Sequence, residues 1–183
     1  MNFAESKKEE NIIEYLLLMF QIETLIRSNN FDVEQIFQSI ILPQVKDERL
    51  AKDYKLWYQN IADELKIHGT KSEIHLSEVL EIQTELFYLH NSLLGIFNDA
   101  PYKKHYAEAA PIIEEFREKS QDTKLNDVDM AVQALYAKLL LRLRGQEISS
   151  ASEAAFESIR KMLAHLAQAY RKMKAGDLNF INN

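Results

Sequence analysis

The chain of 183 residues has no cysteine, which excludes disulfides and thiolate chemistry and makes a reducing compartment, the cytoplasm, its expected location. Glycine (4) and proline (3) are scarce, which disfavours an irregular or sandwich-like fold. Long apolar runs are missing as well: the longest uninterrupted one, residues 15–20, falls far short of the roughly 20 residues that a membrane span requires. There is no excess of positive charge, since the formal net charge is -6, and this argues against a role on nucleic acid. Lys7 and Lys8 precede the apolar run in the manner of a signal peptide. Glu5, Glu9 and Glu10 surround them, Glu14 and Glu23 interrupt the run, and no small-residue cleavage site follows. Neither a membrane nor a nucleic acid is an expected partner.

What remains is a sequence rich in Leu, Ala, Glu, Ile and Lys, which favours long helices and a single shared core. The stretch from Asn11 to Arg27, NIIEYLLLMFQIETLIR, is apolar around most of its circumference and predicts a central helix packed on several sides. Ser6 with Glu9 has capping-box spacing and predicts the first helix start; Asn29 and Asn30 predict its end. Asp32 with Gln35 predicts a short helix ended by Pro43, and a stripe of Leu50, Tyr54, Trp57, Ile61 and Leu65 predicts a long helix from Val45 to His68, stopped by Gly69. His68 beside Glu64 reads as a C-terminal cap.

Thr70 with Glu73 predicts the start of a helix reaching Phe97, with Gln83 and His90 inside its apolar arc and Glu78, Glu81 and Glu85 on a solvated face. Pro101 suits a helix N1 position, and Pro111 predicts a kink or two short helices joined near Ala109 and Ala110. The polar segment 119–126, KSQDTKLN, is the expected hinge. Beyond it, a helix from Asn126 or Asp127 to Arg144, closed by Gly145, should bury Val128, Val132, Leu135, Tyr136, Leu139, Leu140 and Leu143. It forms an antiparallel hairpin with a last helix capped by Ser150 and Glu153 that carries Phe156, Ile159, Met162, Leu163, Leu166, Tyr170 and Met173. Residues 177–183 are an expected frayed tail. The predicted fold is an all-α antiparallel bundle of six to seven helices around a central apolar first helix, in one domain spanning residues 1–183.

Motifs of chemistry are few. The sequence has no glycine-rich phosphate loop, nucleophile elbow or internal repeat. None of His68, His75, His90, His105 and His165 has a Glu three residues before it, as a di-metal bundle would need, and His75 and His90 stand ~22 Å apart on a straight helix axis. No metal or cofactor is therefore expected. The candidate site residues are the polar groups on apolar faces: Glu23 between Ile12, Leu16 and Met19, Arg27 one turn later, His90, and Arg142 beside Leu135 and Leu139. An unpaired buried charge is costly, so Glu23, Arg27 and Arg142 are expected to find one another or reach water, and a buried His90 needs partners for both nitrogens. The basic groups Lys138, Arg142, Arg144 and Arg171, Lys172, Lys174 fall near helix C-termini, where cations complement the dipole.

At NIIEYLLLMFQIETLIR and LYAKLLLRLRGQEIS, and again at WYQNIADELKIHG and FYLHNSLLG, the chain resembles a bacterial helical family typical of Bacteroidetes, domain of unknown function family 4924. The resemblance implies a small single-domain bacterial protein and carries no catalytic residue across. The family pattern often has tryptophan where Phe20 stands here, a departure that bears on packing. The function that follows is a non-enzymatic cytoplasmic helical binding or assembly module, with a second copy or another protein as partner. The alternative is a small-molecule-binding protein or an enzyme with an inter-helix pocket near His90.

Overall fold

Asn11 ends one helix and begins the next. In the computed structural model, which describes residues 3–68, 75–120 and 124–177, its Oδ1 accepts from the backbone N–H groups of Ile13 (3.0 Å) and Glu14 (3.3 Å). This cap separates α1 (Phe3–Glu10) from α2 (Ile12–Ser28). The capping box expected at Ser6 and Glu9 is displaced: α1 already runs from Phe3, and the Ser6 hydroxyl donates to Glu10 instead. α2 is the apolar helix that the sequence predicts, with Ile12, Ile13, Tyr15, Leu16, Met19, Phe20, Ile22 and Ile26 all buried.

All the regular structure among the described residues is helical. The chain forms two compact units, Leu18–Leu80 and Met1–Leu17 with Glu81–Asn183. In the first, α2 ends where Asn30 (φ +53°) and Phe31 (φ +62°) enter the left-handed region and Phe31 N–H bonds to Ile26 C=O. Asp32 then caps α3 (Val33–Ile36) by accepting from Gln35 N–H, as its spacing predicts. The helical run ends at Gln44, one residue beyond the stop expected at Pro43. A π turn, Phe37–Ile41, leads into α4 (Leu42–Gln44), and the proline sits in that first turn, where its missing N–H and its ring are accommodated by the changed hydrogen-bond register.

Asp47 caps α5 (Glu48–His68) through Arg49 and Leu50 N–H. Its buried line is Ala51, Ile61, Ala62 and Leu65, with Leu50 exposed, so the inward face is turned from the expected Leu50 stripe toward the small alanines. α6 (Ser77–Leu94) starts later than the sequence suggests, and Ser77 N–H donates to Glu64 on α5. The expected stop at Gly69, the box at Thr70 and Glu73 and the side chain of the expected cap His68 lie outside what the structure describes.

In the second unit, α7 (Ala100–Lys119), α8 (Asp127–Leu143) and α9 (Ser150–Lys174) pack on one another. Asp99 caps α7 through Tyr102 N–H (2.7 Å), with Pro101 in the first turn. Asn126 caps α8 through Asp129 N–H. Ser149, not Ser150, caps α9, and Glu153 turns away to α8. Gly145 (φ +67°) ends α8 in a left-handed turn in which Gln146 N–H reaches Leu141 C=O. The contact of Glu153 with Lys138 and Arg142 makes α8 and α9 the antiparallel hairpin that the short loop predicts. Residues 121–123 of the expected hinge and 178–183 of the expected tail lie outside the described residues.

Two expectations fail here for physical reasons. Of the two outcomes expected at Pro111, the division into two short helices does not occur: α7 continues through it, because the lost hydrogen bond and the crowding of the carbonyl one turn back cost a 20-residue helix less than breaking it. The first half of α8 buries Val128, Met130, Ala131, Val132 and Ala134 completely, but Leu135, Tyr136, Leu139 and Leu140 are only half-buried and Leu143 is exposed. Because Pro111 still deprives its helix of one hydrogen bond, Pro111→Ala should raise the unfolding free energy by about 1–3 kcal/mol in urea denaturation; an unchanged or lowered midpoint would show that the proline relieves a strain elsewhere in α7.

Candidate functional site

Three constellations stand out, each within one unit. The first begins with Glu23, only 1% exposed. Its carboxylate lies 2.6 Å from His75 Nδ1, accepts from Leu76 N–H at 3.0 Å, and meets the Arg27 guanidinium at 3.4 Å. His75 stacks on Phe20, ring centroids 4.3 Å apart and planes 16° from parallel. A carboxylate on Nδ1 keeps a proton on that nitrogen and fixes the orientation of the ring. The Glu23 to Arg27 pair expected from the sequence is thus present, and His75, which no spacing rule singled out, is its third member. Arg27 and Glu23 are one helical turn apart and could be read; His75 is 52 residues away, and no local pattern reports such a contact.

The second constellation contains His90. Burial of His90 on α6 is as expected, and its Nδ1 lies 2.7 Å from the Tyr102 hydroxyl, itself fully buried. Around them Tyr106 packs edge-on to His90, and its hydroxyl is bonded to Asp127 at 2.5 Å. Arg117 holds Asp127 from the other side at 2.5 Å and also donates to Leu125 C=O. His165 of α9 lies edge-on to both Tyr102 and His105 and 3.6 Å from Asp99, and His105 Nδ1 is buried without a hydrogen-bond partner. Burial pushes the His90 pKa below the ordinary histidine value, with Asp127 pulling weakly the other way. His165 is lowered too, by burial first, against the pull of Asp99. Burial, then the Asp127 hydrogen bond, pushes Tyr106 up to about 12. His90 with Tyr102, and Tyr106 and Arg117 with Asp127, satisfy one another, which is the chemistry of a structural network.

Arg142, the fourth candidate, is not buried. Its side chain is 60% exposed and donates to Glu153 at 2.9 Å. A helical wheel places it beside Leu135 and Leu139, but those leucines sit on the half-buried end of α8, so the same face already borders solvent there.

That border is the third constellation. A half-open groove of about 280 Å³ runs between the start of α2, the second half of α8 and the middle of α9. Its floor is Ile13, Leu17, Leu135, Leu139, Leu163 and Ala164. Lys138, Arg142 and Arg160 rim it, with Glu14 and Asn11 at the α2 end. Lys138 and Arg142 stand one turn apart on α8 and share the Glu153 carboxylate, Nζ to Oε2 at 2.6 Å and Nη2 to Oε1 at 2.9 Å. The sequence showed these residues only as helix-end cations and core leucines. Two half-buried leucines at i and i+4 with cations at i+3 and i+7 is the signal that marks such a rim.

Among the described residues no group of three His, Cys, Asp or Glu is placed to hold a metal ion, and no helix is long and apolar enough to cross a membrane. The model of a family described as Domain of unknown function (DUF4924) matches residues 1–177. No curated protein and no solved structure matches the chain.

Two outcomes follow from the buried groups. Removing the Glu23 carboxylate leaves the donors around it without their acceptor, so Glu23→Ala should lower stability by about 3–5 kcal/mol, with Glu23→Gln losing less; a change under ~1 kcal/mol in chemical denaturation would mean that water answers these groups instead. For pH, the lowered His90 and His165 values mean that the unfolded chain binds more protons than the fold below the ordinary value of 6.5. Stability should therefore be full above that value and fall as pH drops through it toward the folded values. His90→Gln should flatten that slope in urea titrations at stepped pH, and stability that rises on acidification would contradict the assignment.

Proposed function

Since the chain belongs to the family described as Domain of unknown function (DUF4924), whose description names no activity, we propose its function from its geometry: a non-enzymatic binding module that docks an α-helix of a partner protein in the groove between α2, α8 and α9. A reducing compartment suits a cysteine-free chain, and the family resemblance suits a bacterial cytoplasm. The observation that carries the reading is the lining of the groove, in which six apolar residues stand together beside Lys138, Arg142, Arg160 and Glu14. This is the arrangement in which an amphipathic helix lays its apolar face.

Size and shape favour a helix over a small molecule. Small-molecule pockets enclose most of their ligand in roughly 300–1,000 Å³, whereas this groove is half-open at about 280 Å³. Along α8 it extends from Leu135 to Arg142, ~10 Å at the helical rise, which admits two side chains one turn apart. The alternative of a ligand or reaction at His90 has less support: that imidazole is buried and spends Nδ1 on Tyr102, and the groove is lined by other residues.

A test is selection of a displayed library of short helical peptides on the full chain, scored against two groove variants, Leu139→Lys and the surface change Arg142→Glu. The expected outcome is a set of binders that carry two apolar residues one turn apart and are lost on Leu139→Lys while its thermal unfolding stays cooperative. Binders indifferent to both variants, or none at all, would overturn helix docking. A concentration-dependent dimer abolished by Leu139→Lys would replace a foreign partner with a second copy of the chain.

A further inference from the structure

The groove rim holds three cations and one carboxylate on a chain whose net charge is -6. The groove lining is richer in cations than the chain as a whole, and each of these cations already has a carboxylate partner beside the groove. The structure also shows what kind of group those cations accept, because one carboxylate already bridges two of them: Glu153, on the first turn of α9, takes Lys138 and Arg142 at once. Glu153 does not line the groove. It draws the two cationic heads toward the α8 to α9 loop, and their stems pass beside the apolar floor. Lys138 is further steadied by the Phe156 ring, 5.1 Å from Nζ. Arg160, across the groove on α9, is held by Glu157 in the same way.

We infer that the helix docked in this groove is acidic, with Asp or Glu one to two turns beyond its apolar anchors, and that Glu153 occupies the cations until that carboxylate replaces it. The inference rests on the helix-docking reading and adds to it the partner's charge and an internal competitor. Arg142 gives Glu153 a single Nη2 hydrogen bond, and a guanidinium held by one bond can pass to a second carboxylate that takes its fork in full. The exchange keeps the number of ion pairs constant, so it contributes selectivity against basic helices more than raw affinity. The hydrogen bonds from Lys138 and Arg142 hold the Glu153 carboxyl below its usual range, so it competes as an anion at neutral pH.

The experiment uses the groove-dependent peptides from the display selection, labelled and titrated by fluorescence anisotropy against the full chain at stepped NaCl. Acidic residues should be enriched beyond the anchors, and replacing them with Gln should weaken binding ~tenfold in the Glu153→Gln chain, the loss of one charge-assisted pair, and less in the unchanged chain, where Glu153 takes the cations back. Glu153→Gln, which removes the competitor from an exposed position, should tighten the acidic peptides several-fold and leave their uncharged forms unchanged. Arg142→Glu should abolish the preference for acidic peptides. Groove-dependent peptides with no acidic bias, or an affinity indifferent to Glu153→Gln, would overturn this inference and leave helix docking standing. The lack of any groove-dependent peptide would strike the underlying reading instead.

Discussion

A carboxylate that is 1% exposed has to be answered by donors, and the fold around Glu23 is arranged to supply them. One comes from its own helix, Arg27, and two from the segment that enters α6, His75 Nδ1 and Leu76 N–H. The last of these is a backbone group, so the position of the chain at Leu76, and not only a side chain, is set by the carboxylate. Ser77 N–H, the next donor along, goes to Glu64 of α5. Two acids on two helices thus satisfy amides at the start of a third, a region where the first turn of any helix leaves its amides without internal partners. Phe20 completes the arrangement by stacking on His75, so that the imidazole is fixed both by its hydrogen bond and by its face.

How much of this was legible depended on the range of the contact. The helices announce themselves through short-range signals, and those signals hold wherever they are local: Asp32 caps α3, Asn126 caps α8 and Pro101 opens α7. Where the signals mislead, two local rules compete. Ser6 with Glu9 has the right spacing, but Asn11 directly precedes the apolar run and takes the cap, leaving Ser6 inside α1. Ser149 and Ser150 are both capping residues, and the choice falls to the one whose third neighbour is free to donate while Glu153 is claimed by two cations. Proline acts as a stop at Pro43, where the helical run ends one residue later, and not at Pro111, which α7 runs through.

The candidate residues divide along the same line. Glu23 and Arg27 could be paired from sequence because they lie one turn apart, and His90 could be placed in the core because its neighbours in the helix are apolar. Their remaining partners could not, since His75 reaches Glu23 across 52 positions and Tyr106 reaches Asp127 from a different helix. A buried polar group in a sequence predicts that partners exist; only the packing says which ones. The exposed position of Arg142 has a related cause: helical periodicity says which face a residue occupies and is silent on how far along the helix that face remains covered.

α8 makes the point quantitatively. Its apolar residues recur with the same period from Val128 to Leu143, so every turn predicts the same burial. In the structure the first two turns are sealed and filled with small residues, Ala131 and Ala134 among them, which let neighbouring helices approach closely. The later turns carry Leu135, Leu139, Leu140, Leu141 and Leu143, and Leu135 and Leu139 are half-covered beside Ile13, Leu17 and Leu163. Full burial of a leucine contributes about 1.5–3 kcal/mol relative to exposure, so a pair left half-covered forgoes a sizeable part of that. A chain that needed only stability could close the gap by placing alanine there, as it does one turn earlier. Keeping leucine, and bordering it with Lys138 and Arg142, both paired with Glu153, leaves apolar surface and charge in one place on an otherwise acidic protein. That combination is costly for a core and suited to a surface that another helix covers.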